Sequence, residues 1–313
     1  MRILITGGAG CLGANIVERR AAMGDELCVI DTFATSAREA LPPSGPRLRI
    51  VEGSVEDAGL VEAEMAAFRP DAIIHAAASY KNPGDWAGDL SVNAAGTLNV
   101  VRAAQTLDKV RLINLQTALC YGRPDHTPIG VEAPLRPFTS YGVSKVAGEL
   151  YVLASGLDAV SFRIANVTGP RLSIGPLPVF YTRLKAGKAC FCSDTVRDFL
   201  DMQDFLRLMD LALVPEGPRG VFHASSGEGH TIRDVFDEVA HHLGIEVPAP
   251  AILPPGADDV AAVVLDPSAT QAAFGWAAKV GFADSLKRML AWYDVHGVHT
   301  VYAHVRAPEG FAS

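Results

Sequence analysis

Seven residues near the amino terminus, Gly7-Gly-Ala-Gly10-Cys-Leu-Gly13, constrain the fold more than any other stretch. They follow a short apolar run, Arg2-Ile-Leu-Ile-Thr6, and open a helical stretch from Ala14 to about Met23. Strand, glycine turn and helix in that order predict a βα unit whose turn holds a dinucleotide diphosphate. Gly7 permits the tight turn. Gly10 lets a pyrophosphate approach the backbone, and Gly13 lets the helix sit close on the strand. Cys11 and Leu12, between the last two glycines, belong to the same cofactor-binding turn.

The alternation continues down the chain. Glu26-Leu-Cys-Val-Ile30 reads as a second strand and ends in Asp31. An acid about twenty residues beyond the glycine turn can bond the adenosine ribose hydroxyls, and it repels a 2′-phosphate, which favours NAD over NADP. Arg38 in the next loop keeps NADP as the alternative. Arg47 to Val51 is a third strand, followed by Gly53-Ser54-Val55. Val61 to Phe68 is helical, and Asp71 to His75 is a fourth strand opening into Ala76, Ala77 and Ala78. Small residues there allow a cofactor to approach. Asn93 to Thr106 reads as one long helix and Arg111 to Leu115 as a fifth strand. This rhythm predicts an α/β fold, a doubly wound parallel (Rossmann) sheet with its strand-end loops on one side, where ligands bind.

Three side chains gather at that side. Thr117 sits at the end of the fifth strand. Tyr141 and Lys145, four apart on a helix, share one face. A lysine ammonium beside a phenol favours the phenolate, so the spacing predicts Tyr141 as a general base with a pKa lowered by Lys145. Taken alone, Tyr-x-x-x-Lys also fits an amphipathic helix with a solvated lysine, and Thr117 also fits a plain β-former at a strand end.

The chain has 313 residues, 49% hydrophobic and 20% charged, enough for one large or two modest domains with a sizeable core. The net charge of −8 argues against nucleic acid as a partner. Five cysteines without a zinc-type spacing, no leader-like segment and no membrane-length apolar run predict a soluble, cytoplasmic protein with reduced thiols and no metal site. His241 and His242 are adjacent on a helix and face different directions, which fits surface residues.

The set Thr6 to Gly13, Asp31, His75 to Ala78, Thr117 with Tyr121-Gly122, and Tyr141-x-x-x-Lys145 resembles the extended short-chain dehydrogenase/reductases. Later stretches extend the resemblance over nearly the whole chain, toward the NAD-dependent nucleotide-sugar epimerases and dehydratases. Arg163-Ile-Ala-Asn166 resembles a sugar-nucleotide turn, Arg197 to Asp204 a phosphate-binding segment, and Gly220 to Gly229 a strand returning to the first domain. The resemblance implies a dinucleotide-binding domain over 1–170 with a returning strand near 220–225. It implies a smaller mixed α/β nucleotide-sugar lobe over 171–313. It assigns Thr117, Tyr141 and Lys145 to catalysis, and Ser54, Val55 and Asn93 to the cofactor along with the residues above. Asn166, Arg197 and Asp259 fall to the substrate, and a homodimer through the Asn93 and Tyr141 helices is expected.

Within that branch, dehydratases place an Asp-Glu pair after the catalytic threonine, and decarboxylases place a glutamate nearby. Here Ala118 and Leu119 hold those positions, and neither transfers a proton. The arrangement is most similar to UDP-galactose 4-epimerases, in which hydride leaves C4 for NAD+ and returns to the opposite face. A dehydratase, an NAD(P)-dependent reductase on a nucleotide-linked sugar, and a non-catalytic NAD sensor are the competing readings. Several positions depart from the family. Ser54 replaces an adenine-binding aspartate, Lys81 lies one position from a cofactor lysine, Gly256 replaces an arginine, and Val263 replaces a bulkier residue beside the sugar.

Overall fold

The computed structural model describes residues 1–80, 82, 84–256 and 259–298. Lys81, Asp258 and the tail from about Ala307 lie outside the described residues. In chain order the strands are β1 (Arg2–Thr6), β2 (Glu26–Asp31), β3 (Leu48–Glu52), β4 (Ala72–His75), β5 (Arg111–Thr117), β6 (Asp158–Ile164), β7 (Asn166–Thr168), β8 (Phe191–Ser193), β9 (Val196–Asp201), β10 (Gly220–Ala224), β11 (Gly229–Thr231), β12 (Ala251–Leu253) and β13 (Ala262–Val263). The helices are α1 (Cys11–Ala22), α2 (Ala58–Phe68), α3 (Trp86–Asp89), α4 (Thr97–Gln105), α5 (Ser140–Ala154), α6 (Pro176–Lys185), α7 (Met202–Ala212), α8 (Ile232–Leu243), α9 (Ser268–Phe274) and α10 (Phe282–His296).

Among the described residues, seven strands form one sheet in the order β10-β6-β5-β4-β1-β2-β3, every neighbouring pair parallel. The chain winds outward from β1 to β3, crosses back to β4, and winds out the other way. The crevice between β1 and β4 is the reversal point where such sheets take ligands. Strands buried on both faces explain the apolar runs Ile3-Leu4-Ile5 and Ile73-Ile74, all fully buried. One face packs beneath α1 and α7, the other beneath α2 and α4. The returning strand predicted near 220 is β10, paired with β6.

A smaller unit follows. β11, β9 and β13 form a second sheet to which β7 adds by pairing with β9, and β12 pairs with β8. Helices α6, α8 and α10 pack a separate core around Phe180, Phe236 and Leu290. Thr231 caps α8 in a reciprocal arrangement with Asp234.

The long helix expected from Asn93 is broken in character. Leu90–Gly96 is a π-helical turn, entered from α3 and continued by α4. Propensity does not reveal this turn, which packs closely against α5. Gly148 of α5 lies so close that a side chain there would meet the Asn93 carbonyl and Thr97. The wider turn accommodates that approach.

A buried polar network ties the halves together. Glu149 of α5 accepts hydrogen bonds from Ser161 (2.7 Å) and from Arg163 Nη2 (2.8 Å). Arg163 donates onward to the Tyr121 hydroxyl (2.8 Å) and the Val131 carbonyl (3.0 Å). The Tyr121 hydroxyl meets His223 Nε2 at 2.6 Å, and His223 Nδ1 meets the Asp266 carbonyl at 2.8 Å. Burial lowers the His223 pKa to about 4, so the ring is neutral at pH 7. Glu149→Gln leaves the Arg163 charge unpaired in the core and is expected to cost ~3–5 kcal/mol, read as a lower thermal midpoint. His223 titrates near 6.5 when unfolded and near 4 when folded. The unfolded chain therefore binds the extra proton across that window, and stability falls as pH drops through it. His223→Gln is expected to flatten this part of the pH–stability curve.

Candidate active site

The glycine turn lies at the carboxyl end of β1 against the loop after β4. Gly7 has φ +67°, and a side chain on it would strike the Ala77 backbone. A side chain on Gly13 would strike Gly7 and Gly8, so α1 meets the turn at backbone contact. Gly10 caps α1 without a side-chain partner, leaving the first-turn N–H groups of a twelve-residue helix for an anion. The Cys11 thiol points to the Pro170 carbonyl (3.5 Å), and burial pushes its pKa up to about 12. Leu12 packs on the core. Thr6, His75 and Thr97 form a buried relay at the same edge, with Thr6 Oγ1 to His75 Nδ1 at 2.7 Å and Nε2 to Thr97 Oγ1 at 2.8 Å. Burial first, and Lys145 second, lower the His75 pKa to about 3.

Asp31 ends β2. Its Oδ2 accepts from Ala9 N in the glycine turn and its Oδ1 from Phe33 N, both at 2.8 Å. The carboxylate is thereby fixed beside the turn with lone pairs left for hydroxyl donors. Arg38 stacks over Phe33, 5.6 Å from the ring centre. The Ser54 hydroxyl accepts from Glu56 N and donates to the Glu56 carboxylate, closing its own turn. Val55 is buried in the core against Gly96. Ala76, Ala77 and Ala78 line the loop after β4, with Ala76 N bonded to the Thr6 carbonyl.

Asn93 acts as a strut between the loop after β4 and α5. Its Oδ1 accepts from Ser79 N (2.9 Å), and its Nδ2 donates to the Ser79 carbonyl (2.9 Å) and to Ser144 Oγ (3.0 Å). Every amide hydrogen is spent on the protein, so Asn93 clamps the loop after β4 to α5.

Thr117, Tyr141 and Lys145 do come together. β5 runs two residues further than predicted, and Thr117 is its last residue. The Thr117 hydroxyl accepts from Leu119 N (3.2 Å), capping the 3₁₀ turn Ala118–Tyr121, and shares a hydrogen bond with the Tyr141 phenol. Tyr80 meets the Tyr141 ring edge-on at 6.3 Å. Burial drives the Tyr141 pKa well above its ordinary value. Tyr80, Asp89 and Cys120 add to the rise, and the Thr117 bond opposes it. The predicted lowering by Lys145 is therefore not found. Lys145, 4% exposed, donates from Nζ to the Leu115 carbonyl (2.7 Å), and burial lowers its own pKa to about 8. The α5 spacing puts the two residues on one face, but the nearest acceptor for the ammonium is the strand below.

The substrate-side residues also meet differently. Arg197 forms an ion pair with Asp259 and donates to the Val196 carbonyl at 2.8 Å. The prediction placed both on the substrate separately; here each is the other's partner, 62 positions away in the chain. Burial lowers the Arg197 pKa against the opposing pull of Asp259. Asn166 is exposed, its amide donating to the Asp198 carbonyl at 3.1 Å. An open cleft of about 600 Å³ runs past Asp259 and Gly256 to Arg123 and His126. Ala118 is buried and Leu119 carries no ionisable group. Tyr80 and Asp89 escaped the sequence reading, although Asp89 stands four residues before Asn93, a spacing that could have flagged it. No described residues form a metal-binding cluster, and all five cysteines are free.

Comparison with known proteins places this geometry. Residues 3–222 match the NAD dependent epimerase/dehydratase family. The Bordetella bronchiseptica enzyme WbmG, solved in complex with NAD, is 56% identical, superposes with a TM-score of 0.92 and covers 98% of each chain. The same enzyme solved with NAD and UDP gives 55% identity and a TM-score of 0.93, over 98% of this chain and 99% of that one. The UDP-glucose 4-epimerase of Corynebacterium glutamicum is 28% identical over 88% of this chain and 90% of its own. The dTDP-glucose 4,6-dehydratase of Streptomyces niveus is 28% identical over 94% and 93%. With the glycine cradle, the uncapped α1 and the Asp31 carboxylate suited to a dinucleotide, the chain belongs to the NAD dependent epimerase/dehydratase family and its cofactor is NAD.

Proposed function

We propose that this enzyme is a nucleotide-sugar 4-epimerase acting on a sugar linked to a nucleoside diphosphate. The observation that carries the reading is the pairing of Thr117 with Tyr141 beside two positions, Ala118 and Leu119, that hold no proton-transfer group. Removal of water from a sugar needs an acid and a base besides the tyrosine, and this turn supplies neither. Epimerisation needs one proton acceptor, which also returns the proton.

When bound, NAD supplies the hydride acceptor and donor at C4. The chain's own residues do the rest. Tyr141 takes the proton from the 4-hydroxyl and later gives it back. Thr117, already bonded to the phenol, fixes the hydroxyl's approach. The phenol's high pKa must be brought down by positive charge for this work, and Lys145 is the cation one helical turn away on α5. Arg197 and Asp259, on β9 and the segment before β13, are proposed to flank the nucleotide end, in a lobe spanning chiefly 171–313. The open cleft beside Asp259 and Gly256 is proposed to admit the nucleotide end.

We also infer a homodimer. Trp86 (58% exposed), Leu90 (61%), Val143, Leu150 (54%) and Tyr151 place large apolar side chains in solvent along α3, the π-helical turn and α5. A pair of such surfaces makes a four-helix contact between two copies of the chain.

Incubation with a panel of nucleotide sugars in D2O is expected to yield a C4 epimer of unchanged mass. Deuterium on carbon, or loss of water, would show proton transfer at carbon and reject the reading. Tyr141→Phe is expected to lower kcat by about 10²–10⁴-fold with NAD retention unchanged. Sedimentation is expected to give twice the chain mass, and the double variant Leu90→Glu, Leu150→Glu to give a folded monomer.

A further inference from the structure

Three consecutive residues at the end of β5 are bonded to α5. β4 ends at His75, paired with Asn114, so beyond Asn114 β5 has β6 on one side and no described strand on the other. Alternate residues of a strand turn their peptide groups to the same neighbour, and Arg111 N bonds on the β4 side, to the Asp71 carbonyl. Leu115 and Thr117 are in phase with Arg111, so their peptide groups face the side that β4 has left. Peptide groups there need other partners. Lys145 Nζ meets the Leu115 carbonyl at 2.7 Å, and Thr117 N donates to Gln116 Oε1 at 2.8 Å.

Gln116 has a second partner at its other end. Its Nε2 donates to the Lys145 carbonyl of α5 at 2.8 Å. A peptide N–H only donates and a carbonyl only accepts, so these two partners fix which end of the amide is oxygen and which is nitrogen. One side chain, 3% exposed, therefore joins the backbone of Thr117 to the backbone of Lys145. The Thr117 hydroxyl meets the Tyr141 phenol one turn earlier on the same helix. Asn114, two residues before Gln116, donates to Ser161 Oγ at 2.9 Å, and Ser161 donates to Glu149 of α5 at 2.7 Å. A helix resting on a parallel sheet is ordinarily met by apolar side chains. Folding alone would be served by such a residue at 116, without the desolvation of an amide.

We propose that Gln116 is a positioning residue of the active site, locking Thr117 and α5 to each other so that the Tyr141 phenol meets the Thr117 hydroxyl. This rests on the roles given above to Thr117, Tyr141 and Lys145. Gln116 acts through those residues alone. Its Oε1 holds the peptide of Thr117, and its Nε2 holds the turn of helix that carries Lys145. The Glu149–Arg163 pair fixes α5 one turn further on, and Gln116 extends that hold to the end that carries the phenol. A misplacement of about 1 Å between reacting groups can cost about 10²-fold in rate, so a tie between two of them bears directly on turnover.

The test compares Gln116→Met and Gln116→Glu with the wild type, each loaded with NAD and assayed below its thermal midpoint. The substrate is the nucleotide sugar that the wild type converts in the panel above. Gln116→Met keeps the length of the side chain and loses both bonds. It is expected to lower kcat by about 10–10²-fold with KM and NAD retention unchanged, and to speed hydrogen exchange at Thr117 N. Gln116→Glu keeps the acceptor for Thr117 N and donates to the Lys145 carbonyl only when protonated. Its deficit relative to the wild type is therefore expected to be smaller and to shrink as pH falls. Should Gln116→Met fail to fold, Gln116→Glu and its pH dependence carry the comparison. Wild-type kcat in either variant, a parallel loss of kcat, substrate affinity and NAD, or a deficit in Gln116→Glu that is the same at every pH, would overturn the proposal. The comparison reads the rate of whichever product forms, so a product other than a C4 epimer rejects the epimerase and leaves the role of Gln116 to be decided by the variants.

Discussion

The ion pair of Glu149 and Arg163 is the interaction on which the active site stands. Glu149 is on α5, two turns beyond Tyr141 and one beyond Lys145, and Arg163 is on β6 beneath it. Burying two charges costs several kcal/mol each unless every donor and acceptor is met. Here Ser161, Tyr121 and Val131 complete the set. The pair therefore fixes α5 on the sheet, in rotation as well as in distance. Through Tyr121 and His223 the same network reaches β10 and Asp266, so the smaller unit is held in register with the helix that carries Tyr141 and Lys145.

A second constraint sits at the reversal point of the sheet. Gly7, Gly13, Ala76 and Ala77 remove side chains where backbone must meet backbone, and Asp31 holds the turn from the other side. Asn93 then clamps the loop after β4 to α5. The dinucleotide crevice and the tyrosine helix thus share a wall, which is what hydride transfer beside a proton acceptor requires.

The fold was legible because its determinants are local. A glycine turn between strand and helix, repeated apolar runs and small residues at strand ends are readable one window at a time. Thr117, Tyr141 and Lys145 were legible for the same reason. What stayed hidden depends on partners distant in sequence. The Leu115 carbonyl claims the Lys145 ammonium, Arg197 and Asp259 neutralise each other, and Ser54 closes its own turn with Glu56. The π-helical turn was hidden too, and the helix it packs against, with Gly148 facing Asn93, is more than fifty residues away in the chain. Residue type and spacing named the participants, and the direction in which each side chain turns came only with the packing.

The π-helical turn at Leu90–Gly96 has a consequence for how this chain could diverge. Each residue of an ordinary helix advances the side chains by about 100°, so removing one residue from the turn would rotate everything before it relative to everything after. Leu90 faces solvent, while Asp89 and Asn93 face inward. A one-residue deletion would turn the residues before it by about that angle relative to those after it, without altering a single side chain. The outer surface of the helix and its inner pocket are phased by the same short segment, and a length change there would alter both together.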